Sequence, residues 1–499
     1  MQRILIFSFC VLAVVAGGCK KFLDKQLLGQ TTPDNFFTSD ANAQLALNAA
    51  YAPLSFTSGA SNAIWVLGDV ASDDAIKGGQ PGDQADFEAV DQFNILTTNS
   101  AVEAVWQRYY DGVFKCNVVL DGLSAANSKV SDATKKSVIA QAKFLRAYYY
   151  FVLTACYGDI PLHLKVETPE ELQSPALAQD SIFRQVEGDC LAAAPDLPDA
   201  THGADLGRAS KWAALALLSK TYLFHTSLAN HWQLAAQYAQ QVVDSKQYTL
   251  TKMYWDNFSA ATKDNTEAIL TVNHITGYQP IQGNELNAWF SPRSLTGYGF
   301  FYPTQDLVDN FEAGDPRLDY TVGRAGHPYF DTPFDPSWTT TGYITKKMVQ
   351  PLSEVPIGKK NDGSVNYEAL RYSDVLLVLA EAYNESGNSA AALAPLDSVR
   401  RRARESYLYD ASLPGYGSVP AGLLADVTTT DPAQLRDAIR KERRSELAME
   451  FHRFFDVIRY GSAYATPALS KGAPNFNYDK NKWFPIPQSE RDTNKKLGK

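Results

Sequence analysis

Cysteine is scarce, with five in 499 residues. Cys10 lies in an apolar N-terminal run. Cys19, Cys116, Cys156 and Cys190 are widely spaced, and no C-x-x-C occurs. That argues against a zinc cluster or a redox pair. Cys116, Cys156 and Cys190 fall inside helical patterns and read as buried free thiols. Histidine is nearly as rare. The closest of the seven, His225 and His231, are not spaced to share a helical face, so no metal centre is expected. H-E-x-x-H, G-x-S-x-G and G-x-x-x-x-G-K-[ST] are all absent, so neither an enzyme nor a cofactor is expected. Basic residues are outnumbered too. Lys and Arg total 46 against 55 Asp and Glu, for a net charge of -9, which excludes a surface that tracks nucleic-acid phosphates. Beyond the N-terminus no apolar run is long enough to cross a bilayer.

Aromatic residues are plentiful, with Tyr 26, Phe 25 and Trp 8. Many must pack a core, and enough remain for an exposed platform. The N-terminus sets the compartment. One charge at Arg3 precedes an apolar run from Ile4 to Ala16, the length of a signal-peptide core. Small residues Gly17 and Gly18 then lead directly to Cys19. This has the form of a lipobox, with Ala16 where Leu is common. Cys19 is expected to carry acyl chains and begin the mature protein; several chains on one residue anchor stably. Residues 1–18 are the expected signal peptide and 19–33 a lipidated tether.

From Asp34 onward helical periodicity dominates. Asp34 to Tyr51 carries Ser39 or Asp40 as N-cap. Ala101 to Leu123 and Asp132 to Tyr157 read as two long helices. Gly158 ends the second, and Pro161 prevents its resumption. Further helices are expected at Asp180 to Ala194, Ser210 to Thr226 and His231 to Ser245, and again at Asn366 to Asn384. Leu145-x-x-x-Tyr149, Leu218-x-x-x-Tyr222 and Leu379-x-x-x-Tyr383 repeat one local pattern, as in tetratricopeptide-type helix pairs that bury a shared core. Two stretches differ. Ser55 to Asp91 is long, irregular and rich in Gly, Ser, Asp and Asn. Tyr254 to Gly363 is rich in Gly, Pro, Asn and aromatics, with one strand expected at Glu267 to Val272. The domains read as 34–253, a helical scaffold with its N-terminal loop region; 254–363, an irregular lobe; and 364–499, further repeats and a last long helix. That helix, Ile439 to Gly461, stacks Glu442, Glu446 and Glu450 four apart. Like charges so placed repel, so arginines from elsewhere are expected to meet them.

The pattern E-R-R-x-E-L-x-x-E-x-x-R-x-x-D-x-x-R over Glu442 to Arg459 resembles the C-terminal signature helix of the SusD/RagB family. So do C-K-K-F-L-D from Cys19, A-K-F-L-R-A from Ala142, Y-G-D-I-P-L from Tyr157, P-T-Q-D-L-V from Pro303 and W-F-P-I-P from Trp483. The shared order covers most of the chain; the tail departs, with Lys495 after Asn494. The resemblance implies a mostly α, SusD-like fold of tetratricopeptide-type repeats with an irregular, loop-rich second lobe. It also implies an outer-membrane, surface-exposed lipoprotein that binds oligosaccharide and delivers it to a SusC-like TonB-dependent transporter. Sugar faces stack on aromatics, and their hydroxyls take hydrogen bonds from polar neighbours. Two loop regions offer both, Trp65 to Phe87 and Trp289 to Tyr302. The resemblance implies Tyr298, in the G-Y-G-F segment just before the P-T-Q-D-L-V helix, as the leading candidate, supported by Trp289, Arg293, Phe300, Asp73, Asp74 and Lys77. The same architecture binding peptide or another nutrient is the alternative. A surface hydrolase using carboxylates between Asp73 and Asp91, or a calcium site on them, is a further one.

Overall fold

The computed structural model describes residues 36–355 and 358–497. The expected signal peptide, Cys10 and Cys19 lie outside the described residues.

Helices carry most of the chain: α1 Asp40–Tyr51, α2 Ser100–Ser124, α3 Asp132–Tyr157, α4 Gln179–Ala193, α5 Lys211–Phe224, α6 His231–Asp244, α7 Tyr372–Glu385, α8 Ser389–Tyr409, α9 Pro432–Glu446, α10 Arg453–Arg459 and α11 Gln488–Thr493. Neighbours in sequence pack on each other from α1 through α8, and α9 lies against α7. This is the layered stacking of a helical-repeat scaffold. Side chains cap several starts: Ser39 for α1, Asn99 for α2, Ser131 for α3 and Ser210 for α5. Each hydroxyl or amide oxygen accepts a backbone N–H that the first turn leaves free. α3 ends at Gly158, whose positive φ of 71° closes the last turn. Helices approach closely where glycine allows. A side chain on Gly112 of α2 would meet the Tyr149 ring of α3 at 2.5 Å. Cys116, Cys156 and Cys190 are buried free thiols.

Three two-stranded antiparallel sheets sit among the loops. β1 Ala75–Gly78 pairs with β3 Phe300–Pro303, β2 Ala268–Val272 with β6 Tyr367–Arg371, and β4 Val322–Arg324 with β5 Tyr343–Thr345. Several stretches differ from the sequence expectation, β3, β4 and β5 among them, since one strand was expected in 254–363. Residues 55–91 hold a π-helical turn Val66–Val70, strand β1 and a short helix Ala85–Asp91. Asn366 to Arg371, expected as helix, is mostly strand, because it pairs with β2 and buries every residue of β6.

The last helix is two. α9 stops at Glu446 and α10 starts at Arg453. Between them Met449 and Phe451 take φ of 60° and 70°, a conformation unfavourable for side chains of this size. Tertiary contacts hold them there. The Asp69 carboxylate accepts the N–H of Phe451 at 2.8 Å and of Arg453 at 3.0 Å. The Phe451 ring sits among Phe56, Phe290, Phe301 and Tyr367. Gly68 lies against the Phe451 backbone, where a Cβ would strike the carbonyl.

Arginines do meet the glutamate stripe. Arg317 bonds Glu442 at 2.5 Å and Glu446 at 3.1 Å. Arg371 bonds Glu446 and, through Nε at 2.8 Å, Glu450. Arg400 joins Glu442 at 2.9 Å, and Lys347 joins Glu450 at 2.8 Å. Arg402 ties Glu446 to Glu267 at the start of β2. All these groups are buried. Each charge has a partner, without which burial would be prohibitive.

Candidate ligand-binding site

β1 and β3 bring the two aromatic loop regions together. The ladder aligns Ala75 with Pro303, Ile76 with Tyr302 and Gly78 with Phe300. It continues past the strands, where the Gly79 N–H donates to the Gly299 carbonyl at 2.6 Å. Both glycines have positive φ, 71° and 70°. At Gly79 a Cβ would also lie 2.9 Å from the Phe300 ring.

Tyr298 stands at the edge of this crossing. Its N–H donates to the Ala288 carbonyl at 2.7 Å. Its ring meets Trp289 edge-on at 5.4 Å between centroids and is 39% exposed. Trp289 lies beneath it, 6% exposed. Around Trp289 stand Trp65, Phe87 and Phe300, with ring centroids 5.8, 5.8 and 5.1 Å away. The Trp289 indole N–H donates to Glu285 at 3.1 Å, and the same oxygen accepts the Gly59 N–H at 2.5 Å. Tyr298 therefore has a rigid aromatic floor, with its own face partly open.

A polar rim adjoins it. Arg293, 43% exposed, pairs with Asp83, 36% exposed. Asp83 also accepts the Gln80 N–H at 2.9 Å. The Tyr302 hydroxyl reaches the Trp338 carbonyl at 3.0 Å. An open ring face beside a charged, hydrogen-bonding rim can stack a sugar and bind its hydroxyls.

The remaining candidates from sequence are buried below. Phe300 is in the floor. Lys77 pairs with Glu88 at 3.0 Å and donates to the Asp83 carbonyl at 2.8 Å. Its backbone N–H donates to Asp91 at 2.9 Å, whose carboxyl burial pushes up to about 7. Asp73 takes a two-pronged bond from Arg453, at 2.7 and 2.8 Å. Burial opposes the Asp73 charge, but Arg453 and then Arg444 outweigh it and hold the carboxyl at about 2. Asp74 accepts from Arg444 at 2.7 Å. These carboxylates thus tie the loop before β1 to α9 and α10, and through β3 they position Tyr298. Glu285, Asp83 and Gly79 complete the arrangement. Of these, Glu285 had a usable sequence signal, four residues before Trp289 on one helical face.

No group of His, Cys, Asp and Glu among the described residues is arranged to hold a metal ion. No helix among them is long and apolar enough to cross a membrane.

Comparison with known proteins gives matches across nearly the whole chain. Residues 266–499 match the family described as "SusD family". Residues 21–223 match one described as "Starch-binding associating with outer membrane". SusD-like protein P2 of Formosa agariphila is 27% identical over 98% of this chain and 97% of its own length. A solved laminarin-binding SusD-like protein is 28% identical, with a TM-score of 0.75, over 92% of this chain and 99% of that one. A SusD-like carbohydrate-binding protein from Bacteroides fragilis has the same fold, with a TM-score of 0.77 at 24% identity, over 93% of this chain and 100% of that one. With its repeat scaffold, its arginine-met glutamate stripe and both halves of its sequence matched, this chain belongs to the SusD/RagB family.

Proposed function

We propose that this protein binds an oligosaccharide at the surface around Tyr298 and delivers it to a SusC-like TonB-dependent transporter of the outer membrane. One observation carries the binding reading: a partly open tyrosine ring on a fixed aromatic floor, with the Arg293–Asp83 pair at its rim. Sugar stacking needs the open ring, and the rim supplies charge-assisted hydrogen bonds. The laminarin-binding relative lends the ligand class a direction, toward β-glucan. Acyl chains on Cys19 would hold the protein on the membrane beside the transporter, facing the exterior.

The experiment is affinity electrophoresis of the full-length chain through gels containing a polysaccharide panel, laminarin and starch included, with peptides tested in parallel by calorimetry. Retardation by one glycan, weakened in Tyr298→Ala, supports the function and the site. Retardation untouched by Tyr298→Ala keeps the function and rejects the site. Peptide binding without glycan binding rejects the ligand class.

A further inference from the structure

Away from Tyr298, on the helical scaffold, lies a second groove of about 620 Å³. Its floor is one face of α2. Trp106, Tyr110 and Phe114 succeed each other four residues apart there, with Trp106 buried at 3% exposure and the row opening toward Phe114. Trp106 and Tyr110 touch, with centroids 4.7 Å apart, and the Tyr110 hydroxyl donates to the Pro161 carbonyl at 2.7 Å. Phe114 ends the row and is 53% exposed.

One wall is the segment after α3, and it is fixed from behind. Asn117 donates to the carbonyls of His163 at 3.0 Å and Lys165 at 3.2 Å. Arg146, paired with Asp189 at 2.8 Å, donates to the Leu164 carbonyl at 3.0 Å. The Val166 N–H donates to Asp121 at 2.7 Å. The far wall is α11. Gln173 donates to the Thr493 carbonyl at 2.7 Å, and Asn494 to the Ser174 carbonyl at 2.8 Å. Both walls are thus fixed before any ligand arrives, which lowers the ordering cost of binding.

Glu490 marks the groove as more than an apolar dent. It is half-buried and lines the groove beside Tyr110, whose phenol is pushed up first by burial and then by the neighbouring Tyr150 and Glu490. Among the described residues its carboxylate has neither a hydrogen-bond nor an ion-pair partner. The groove's other carboxylates are engaged: Asp111 with Lys115 at 2.6 Å, and Glu167 with His163. A carboxylate partly withdrawn from water, and lacking a donor, suits a ligand bearing hydroxyls.

We propose that the groove formed by the Trp106–Tyr110–Phe114 row and the Glu490 carboxylate is a second carbohydrate-binding site. It stacks a sugar on Phe114 and hydrogen-bonds that ligand's hydroxyls through Glu490. It rests on the glycan-binding reading for its ligand class, but not on Tyr298.

The test is calorimetric titration of the full-length chain with laminarihexaose, in wild type, Phe114→Ala, Glu490→Gln and Tyr298→Ala. The expected result is two sites in wild type and one in Tyr298→Ala. Phe114→Ala should weaken the second site by about tenfold, the worth of one ring stack, with an unchanged melting curve. Glu490→Gln, which keeps the shape, should weaken it as well. A single site unaffected by Phe114→Ala and Glu490→Gln overturns the proposal and leaves the Tyr298 reading intact. Loss of all binding in Phe114→Ala but not in Tyr298→Ala rejects the Tyr298 reading and keeps this one. Failure of wild type to bind the hexaose overturns the carbohydrate assignment. So does Phe114-dependent binding of a lysine-rich peptide in its place.

Discussion

Asp73→Asn is the most informative single change, because Asp73 joins the scaffold to the loops that present Tyr298. The carboxylate and Arg453 face each other at 2.7 and 2.8 Å, with side chains 6% and 5% exposed. Arg444 adds a third contact at 3.2 Å. Removing one partner of a buried ion pair costs about 3–5 kcal/mol, because the other charge stays buried and unpaired. Asparagine keeps one acceptor, so the loss should fall somewhat lower. Linkage agrees in sign: the carboxyl is held below its ordinary value, so its ionised form favours the folded state at neutral pH. A loss of about 2–4 kcal/mol is expected. Equilibrium urea unfolding of wild type and variant measures it. The exposed pair provides the control: Asp83→Asn should cost under about 1 kcal/mol. Because β1 hangs from Asp73 and Asp74, and Gly79 just past β1 holds Gly299, laminarihexaose affinity should also fall in Asp73→Asn. A stability change within about 0.5 kcal/mol, the range of an ordinary surface substitution, would refute the reasoning that these aspartates anchor the loop.

Acid should remove part of the same stability. Asp73, and Asp456 between Arg443 and Arg459, are both held at about 2. Their folded values lie below their unfolded ones, so their contribution is full above about pH 4 and disappears as pH falls toward 2. Urea midpoints should drop across that window, less steeply in Asp73→Asn; parallel profiles would contradict the assignment. Gly68→Ala should destabilise by at least about 1–3 kcal/mol, because the added methyl meets the Phe451 backbone; an unchanged melting temperature would mean the helix break is free to shift. Trp289→Ala should cost about 3–5 kcal/mol, whereas Tyr298→Ala should leave the melting temperature nearly unchanged; equal destabilisation by both would show that Tyr298 is a packing residue. Cys19→Ala should release the protein from the membrane fraction, and retention there would exclude acylation as its anchor.

Much of the scaffold was legible because its signals are local. Ser39 and Ser210 sit one residue before their helices, and Gly158 and Pro161 stop one where they stand. The break between α9 and α10 was not legible. Leu447, Phe451, Phe454 and Phe455 continue a helical spacing straight through it. What breaks the helix is Asp69, from a π-helical turn remote in sequence, together with an aromatic cluster built from four other segments. The strand at Tyr367–Arg371 was hidden for a related reason. All five of its residues are buried, so the alternation that betrays a half-exposed strand is missing.

At the candidate site, Trp289 to Tyr302 was proposed through its composition, aromatics with polar neighbours in a loop, and Trp289 and Phe300 of that stretch are packed beneath Tyr298. Asp73, Asp74 and Lys77 resembled solvent-facing loop charges. The partners of the two aspartates, Arg444 and Arg453, are about 370 residues away in sequence. Arg444 and Arg453 also lie in the glutamate-rich signature segment, where no local pattern hints at a second set of acidic partners for them. The groove under α11 was invisible for want of a local pattern, although Trp106, Tyr110 and Phe114 at four-residue spacing were in plain view. That spacing reads equally well as a helix's buried face, and only Phe114's exposure tells the two apart.

Stacking of a sugar on Tyr298 is the step on which the binding reading turns. Tyrosine fluorescence is masked by eight tryptophans, so calorimetry is the direct route: laminarihexaose titrated into wild type, Tyr298→Phe and Tyr298→Ala under identical conditions. Stacking uses the ring and not the hydroxyl. Tyr298→Phe should therefore bind within about threefold of wild type, and Tyr298→Ala should lose about tenfold or more at one site. Equal binding by wild type and Tyr298→Ala, with the fold intact, would contradict it.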